Sequence, residues 1–163
     1  MKWLLFEILN GVRDLRQHGV IHRDLKPDNI LFQSKSKDIQ KNKLKIIDLG
    51  LGTFSLSSTK LLHRKCGTPG FMAPEVIGMT DTATADTCSN SDIFSVGVIF
   101  YYMLTKKTLF SGNDIYNVME KNQSAEIDYS SPELSKLSPS CLCILKSMLA
   151  VDPAARITPE VAL

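Results

Sequence analysis

Apolar residues near the start of the sequence recur three or four positions apart: Leu5, Ile8, Leu9, Val12 and Leu15. This spacing places them on one face of an amphipathic helix, which we expect over residues 1–18. Gly19 follows directly and indicates where the helix ends. The next two residues, Val20 and Ile21, predict a short strand.

Two short apolar runs, at residues 30–32 and 44–47, are separated by a polar segment at 33–43. This pattern predicts two paired strands joined by an exposed hairpin loop. The loop region is rich in basic residues, which we interpret as a solvated face: Lys35, Lys37, Lys41, Lys43 and Lys45.

The second half of the sequence predicts helices separated by loops at 51–72 and 78–90. Shorter helices are expected at 113–121, after Ser138 and after Thr158. A strongly apolar helix is expected up to Leu104, with Asp92 at its start. A carboxylate in a helix that is apolar all round needs buried partners, although a plain helix cap is the alternative for this residue.

Composition narrows the class of protein. The chain has 163 residues, 44% of them hydrophobic and 22% charged, which fits one globular domain with its own core. A net charge of +2, from 19 basic and 17 acidic residues, gives no electrostatic footprint for nucleic acid, so no nucleic-acid partner is expected. The longest apolar run, residues 93–104, is shorter than the roughly 20 residues that span a bilayer.

No membrane partner is therefore expected, and the first residues do not form a signal-peptide core. These features predict a cytoplasmic protein. The four cysteines have neither the spacing of a metal site nor that of a disulfide framework, so reduced thiols are expected: Cys66, Cys88, Cys141 and Cys143.

The densest group of chemically useful residues lies at positions 22–31, His-Arg-Asp-Leu-Lys-Pro-Asp-Asn-Ile-Leu. The Asp24 carboxylate can accept a proton, and the Lys26 ammonium can stabilise negative charge. The Asn29 carboxamide can ligate a hard cation. Together these groups meet the needs of phosphoryl transfer.

This segment matches the catalytic-loop pattern H-R-D-L-x-x-x-N, so the chain resembles a serine/threonine protein kinase. Further motifs follow in the family's order. Asp48-Leu49-Gly50 resembles D-F-G with leucine in place of phenylalanine, and residues 73–75 match A-P-E. Residues 92–97 resemble D-x-W-S-x-G with phenylalanine in the tryptophan position, and 152–156 resemble the closing segment of the domain.

The resemblance implies a mainly α fold, namely the helical C-terminal lobe of the protein kinase fold with a small β-hairpin at the catalytic loop. Residues 1–163 would form a partial kinase domain in which the N-terminal lobe is absent and the last helix is truncated. No G-x-G-x-x-G occurs in the sequence. The run from 109 to 163 is most similar to the calcium/calmodulin-dependent group.

The resemblance also implies the roles of individual residues. Asp24 and Lys26 would be catalytic, and Asn29 and Asp48 would hold Mg²⁺. The residues expected to bind ATP are Lys26, Asp28, Asn29, Leu31 and Asp48.

Residues 51–72 resemble an activation segment, in which Thr68 together with Lys26 is typical of serine/threonine specificity. Arg23 would pair with this segment once it is phosphorylated. The candidate phosphate acceptors are Thr53, Ser55, Ser57, Ser58 and Thr59.

Two long-range contacts are expected from the same resemblance. Asp92 would accept hydrogen bonds from catalytic-loop backbone amides, and Glu75 would pair with Arg156. The expected partners are a protein substrate carrying serine or threonine, and a partner or missing segment that supplies the N-terminal lobe. Alternatives are a non-catalytic kinase-like interaction module and an incomplete gene product that does not fold stably.

Overall fold

The computed structural model describes residues 1–34, 36, 38, 41–55, 65–80 and 85–163. These residues form six α-helices: α1 (Lys2–Gln17), α2 (Pro74–Ile77), α3 (Ser91–Thr105), α4 (Ile115–Ser124), α5 (Pro139–Met148) and α6 (Pro159–Ala162). They also form four short strands: β1 (Val20–Ile21), β2 (Ile30–Phe32), β3 (Leu44–Ile46) and β4 (Thr53–Phe54). The mainly helical character expected from the sequence is confirmed.

Helix α1 has the bounds and the buried face that its apolar spacing predicts. Ile8, Leu9 and Val12 are buried on the side that packs against α3. Gly19 follows the helix with a φ of +68°, a left-handed conformation that glycine adopts without a steric penalty. The chain then turns directly into β1.

Two antiparallel strand pairs frame the segment that connects α1 to the rest of the chain. β2 pairs with β3, with Ile30 opposite Ile46, which confirms the predicted hairpin. β1 pairs with β4, with Ile21 opposite Thr53. The sequence did not predict β4, because two residues inside a polar loop carry no periodic signal.

The hairpin loop at 33–43 is mostly exposed where it is described, but Asn42 is buried. Its Oδ1 accepts hydrogen bonds from the hydroxyl of Ser34 at 2.5 Å and the backbone N–H of Ser36 at 3.0 Å. The exposed loop predicted from the sequence is thus found where it is described, and a local side-chain network around Asn42 holds this part of it.

Helix α3 is the centre of the hydrophobic core. It is buried along almost its whole length, and Phe94 is completely enclosed. α5 crosses it closely at Gly97, where an added Cβ would lie only 2.9 Å from Leu149 Cδ2. A larger residue at this position would force the two helices apart.

Two elements differ in detail from the sequence prediction. The loop expected at 78–90 contains a 3₁₀ turn at Ala85–Cys88, whose first and last residues are fully buried. α4 begins at Ile115, later than the expected 113. The Asp114 side chain accepts a hydrogen bond from the Asn117 N–H at 2.8 Å and so caps the helix there.

The cysteines are free, as predicted. Burial raises the pKa of the Cys88 thiol to about 11, and it also raises the pKa values of Cys66 and Cys141, so all three favour the unreactive thiol form. In the described ranges, no helix is long and apolar enough to cross a bilayer.

The predicted pair between Glu75 and Arg156 is present and links α2 to the segment after α5. The Arg156 guanidinium donates to both Glu75 carboxylate oxygens, at 2.7 and 2.9 Å. It also donates to the backbone carbonyl of Asn90 at 2.9 Å and lies 5.1 Å from the centre of the Phe94 ring. The arginine side chain is fully buried, so its charge depends on these partners.

We expect Glu75→Gln and Arg156→Met each to lower the free energy of unfolding by about 3–5 kcal/mol, because either change leaves a buried charge or its partners uncompensated. The double variant should lose less than the sum of the two. Chemical denaturation of the four proteins in a double-mutant cycle measures the coupling.

The pair between Lys107 and Glu133, 2.7 Å apart but largely exposed, provides the matched control. The same cycle on Lys107→Met and Glu133→Gln should give a much smaller coupling, since water screens an exposed pair. Additive effects at Glu75 and Arg156 would contradict the assignment.

Candidate active site

The site is built on a hydrogen-bonded link between two distant parts of the chain. Asp92, in the first turn of α3, accepts from the backbone N–H of His22 at 2.7 Å and of Arg23 at 2.8 Å. Burial raises the pKa of the Asp92 carboxyl, and the two N–H donors oppose that rise. The expected contact between Asp92 and the 22–31 segment is thus confirmed.

His22 is completely buried and orients the residues around it. Its Nε2 lies 2.9 Å from the carbonyl oxygen of Ile47, which can only accept, so Nε2 carries the proton. Nδ1 is then free to accept from the backbone N–H of Asp24 at 3.2 Å. One imidazole ring therefore connects the segment at 22–24 to the segment that carries Asp48.

Asp24, Lys26 and Thr68 form a closed triangle of polar contacts. The Thr68 hydroxyl donates to Asp24 Oδ1 at 2.7 Å and accepts from Lys26 Nζ at 2.8 Å. Lys26 Nζ lies 3.0 Å from Asp24 Oδ2, and both side chains are largely shielded from solvent. This arrangement fixes a carboxylate beside an ammonium group at the protein surface.

Asn29 is attached to the same triangle. Its Nδ2 donates to the backbone carbonyl of Asp24 at 2.9 Å and approaches Asp24 Oδ2 at 3.4 Å. Since the amide nitrogen is committed, Oδ1 is the atom through which this buried residue can ligate a cation.

Asp48 lies in the stretch just after β3 and is exposed. The stretch is bound to the 22–31 segment by a backbone bond from Ile47 N–H to the Asn29 carbonyl at 2.9 Å. Asp48 Oδ1 accepts from the Gly50 N–H at 3.2 Å, which leaves Oδ2 as a ligand for a hard cation. Asn29 and Asp48 thus flank the β2–β3 pair, Asn29 directly before β2 and Asp48 shortly after β3.

Two residues of this site have a strained backbone. Arg23 and Asp48 have φ values of +67° and +64°, in the left-handed region that residues other than glycine rarely adopt. Such a conformation costs on the order of 1–3 kcal/mol and persists where surrounding contacts enforce it, often at functional sites. For Arg23, one enforcing contact is the hydrogen bond to Asp92.

Besides Asp48, two residues from the predicted ATP site are exposed. Asp28 lies in the 3₁₀ turn Pro27–Asn29, and Leu31 is 49% exposed on β2. Leu49 is similarly exposed, whereas Phe32, next to Leu31 on β2, lies on the opposite face of the strand and stacks on Trp3. Of the site residues predicted from sequence, Asp24 is thus in direct contact with Lys26 and Asn29.

Residues 51–55 and 65–72 of the predicted activation segment are among the described residues. The Arg23 Nε donates to the backbone carbonyl of Leu51 at 2.7 Å, at the start of that segment. Thr53 forms part of β4, and Ser55 follows it with a backbone bond to Gly19. Ser57, Ser58 and Thr59 lie outside the described residues, as do Lys35 and Lys37 of the predicted basic loop.

Sequence reasoning gave Thr68 a role in specificity but did not include it among the site residues that contact Asp24. It also did not identify Asn122, a buried side chain of α4 that binds the loop carrying Thr68. The available signal was spacing: Val118, Asn122 and Ala125 lie on one helix face, so a carboxamide interrupts an apolar stripe.

The chain matches the family model described as "Protein kinase domain" over residues 1–163. It is 34% identical over 160 residues to calcium-dependent protein kinase 4 of Plasmodium falciparum (isolate 3D7), covering 98% of this chain and 29% of that protein. It is 34% identical over 158 residues to calcium/calmodulin-dependent protein kinase type II of Caenorhabditis briggsae, covering 96% and 28%.

A third relative is calcium/calmodulin-dependent protein kinase type 1 of Macrobrachium nipponense, 31% identical over 160 residues, with 98% of this chain and 44% of that protein covered. The chain therefore spans less than half the length of each of these relatives.

We expect Asp92→Ala to destabilise the fold strongly, because it leaves the buried N–H groups of His22 and Arg23 unpaired, at about 1–3 kcal/mol for each. Asp92→Asn keeps one acceptor and should lose less. Denaturant unfolding gives the stabilities, and NMR shifts of the two amide protons show whether each bond is lost.

Asp14→Ala, on the exposed face of α1, is the control and should leave stability nearly unchanged. If Asp92→Ala were as stable to denaturant as this control, Asp92 would not be the residue that anchors the 22–31 segment.

Proposed function

This chain belongs to the protein kinase family, and on that premise we propose that it is the helical C-terminal lobe of a serine/threonine protein kinase. The reaction is transfer of the γ-phosphoryl group of ATP to a serine or threonine hydroxyl of a protein substrate. The single observation that carries the proposal is the triangle of Asp24, Lys26 and Thr68, which holds a proton acceptor and a cation in fixed relation.

Asp24 is the group that orients the substrate hydroxyl and accepts its proton as the new oxygen–phosphorus bond forms. Its backbone N–H is bound by His22, and its Oδ1 is bound by Thr68, so the carboxylate cannot rotate freely. Fixed orientation of this kind is the main contribution that a protein makes to phosphoryl transfer.

Lys26 stabilises negative charge on the group in transfer. The ammonium is already bound to Asp24 and Thr68, so it needs little reorganisation when that charge develops. Thr68 links both charged groups to the loop that would receive the substrate peptide. This supports a serine or threonine acceptor for the reaction.

ATP with Mg²⁺ fits the remaining residues. Asn29 and Asp48 supply one amide oxygen and one carboxylate, and Mg²⁺ in phosphoryl-transfer sites is typically bound by one or two carboxylates together with phosphate oxygens. When bound, the ion neutralises phosphate charge. Asp28 and Leu31 lie on the open side, where Leu31 can form the floor beneath the adenine ring.

The exposed apolar side chains of Leu31 and Leu49 support a further element above the nucleotide. Kinases cover the phosphates with a glycine-rich loop and use a strand lysine, and these 163 residues contain no G-x-G-x-x-G motif. We therefore assign those parts to an N-terminal lobe, supplied by another segment or by a partner chain. The free cysteines and the use of ATP agree with a cytoplasmic setting.

We expect the 163 residues alone to give only background transfer of radiolabelled phosphate from ATP to a serine/threonine peptide. Joined to the N-terminal lobe of a related kinase, they should give Mg²⁺-dependent transfer. In that chimera, Asp24→Asn and Asp48→Ala should each lower kcat by orders of magnitude, because these positioning groups act together.

Asp14→Asn, on the exposed face of α1, is the matched carboxylate control and should leave kcat unchanged. An unchanged rate in Asp48→Ala would exclude the metal assignment. Absence of transfer in a folded chimera would instead favour the non-catalytic interaction module.

A further inference from the structure

Asn122 is a completely buried carboxamide on α4. Its Oδ1 accepts from the backbone N–H of Gly70 at 2.9 Å, and its Nδ2 donates to the backbone carbonyl of Met72 at 2.7 Å. The orientation of the amide is determined by these partners, since an N–H can only donate and a carbonyl can only accept. One side chain therefore binds the loop on both sides of Phe71.

The bound loop is a tight turn. Phe71 N–H donates to the Thr68 carbonyl at 3.0 Å, Pro69 occupies the second position, and Gly70 has a φ of +89° at the third. This is the signature of a type II turn, in which the peptide between the second and third positions is not bonded within the turn. The Gly70 N–H belongs to that peptide, so its buried partner must come from elsewhere in the protein.

A second helix also contributes to the anchoring. Ser95 on α3 donates its hydroxyl to the Phe71 carbonyl at 2.8 Å. The Gly70 N–H, the Phe71 carbonyl and the Met72 carbonyl are thus each bound by a side chain. Thr68, at the start of the same turn, carries the hydroxyl that binds Asp24 and Lys26.

We propose that Asn122 is a positioning residue that sets the Thr68 turn and, through it, the placement of Asp24 and Lys26. The effect of this positioning on catalysis rests on the proposed function. Helix α4 thereby becomes a determinant of the active site although its Asn122 does not contact the reacting groups. The carboxamide supplies both a donor and an acceptor here, whereas leucine offers neither and aspartate would set an oxygen against the Met72 carbonyl.

The test compares Asn122→Leu, which has a similar volume, with Gln123→Leu, the same type of change at an exposed neighbour on α4. In Asn122→Leu, the Gly70 amide should exchange with solvent about tenfold faster or more, while α3 amides, which report global stability, provide the correction. Gln123→Leu should match the unsubstituted protein.

The second measurement concerns the catalytic side chain. Acylation of Lys26 by an amine-reactive reagent, followed by mass spectrometry relative to the exposed Lys136, should be about threefold faster or more in Asn122→Leu, because a displaced Thr68 no longer restrains the ammonium. Neither measurement requires ATP, so failure of the proposed reaction and failure of this proposal are distinguishable.

If the exchange rate of the Gly70 amide were unchanged in Asn122→Leu, the proposed hold of Asn122 on the loop would be overturned. Faster Gly70 exchange with unchanged Lys26 acylation would reduce Asn122 to a structural residue and overturn its positioning role. If Asn122→Leu does not fold, NMR of the unsubstituted protein decides: the Asn122 side-chain amide protons should exchange slowly and show contacts to Gly70 and Met72. Rapid exchange without those contacts would also overturn the proposal.

Discussion

The site depends first on the buried carboxylate of Asp92. A charged group in the core is tolerable only when hydrogen bonds replace the water that it has lost, and here the N–H groups of His22 and Arg23 do so. The same bonds hold Arg23 in a left-handed conformation and thereby set the position of the Asp24 backbone. The central helix α3 and the 22–31 segment are therefore directly hydrogen-bonded to each other, although almost 70 residues separate them in the sequence.

From this anchor, polar contacts extend outwards to the surface that carries the proposed active site. His22 joins the 22–31 segment to Ile47, the residue before Asp48, and Thr68 joins Asp24 and Lys26 to the loop at the end of the 51–72 segment. That loop is in turn bound by α3 and α4, and α2 is held by the buried Arg156. Each group to which we assign a catalytic role is thus placed by backbone or side chains from several elements, as preorganised electrostatics requires.

Most of the elements could be predicted from the sequence because they carry periodic or positional signals. The apolar spacing of α1, the continuous apolar run of α3 and the Ser138 cap of α5 each act over a few residues. The exceptions were short. β4 has two residues and exists only because β1 offers its edge, and the turn at 85–88 is fixed by burial of its end residues.

Sequence alone determined which residues could perform chemistry, because the order and spacing of Asp24, Lys26, Asn29 and Asp48 are properties of the chain itself. It also identified Asp92, Glu75 and Arg156 as charges that need partners, through their motifs. The tertiary structure decided how these groups are held. It sets the tautomer of His22, the hydrogen bonds of Thr68 to Asp24 and Lys26, and the hydrogen bonds of Asn122 to the backbone of Gly70 and Met72. These contacts join residues up to 52 positions apart and depend on where helices pack, which local spacing does not encode.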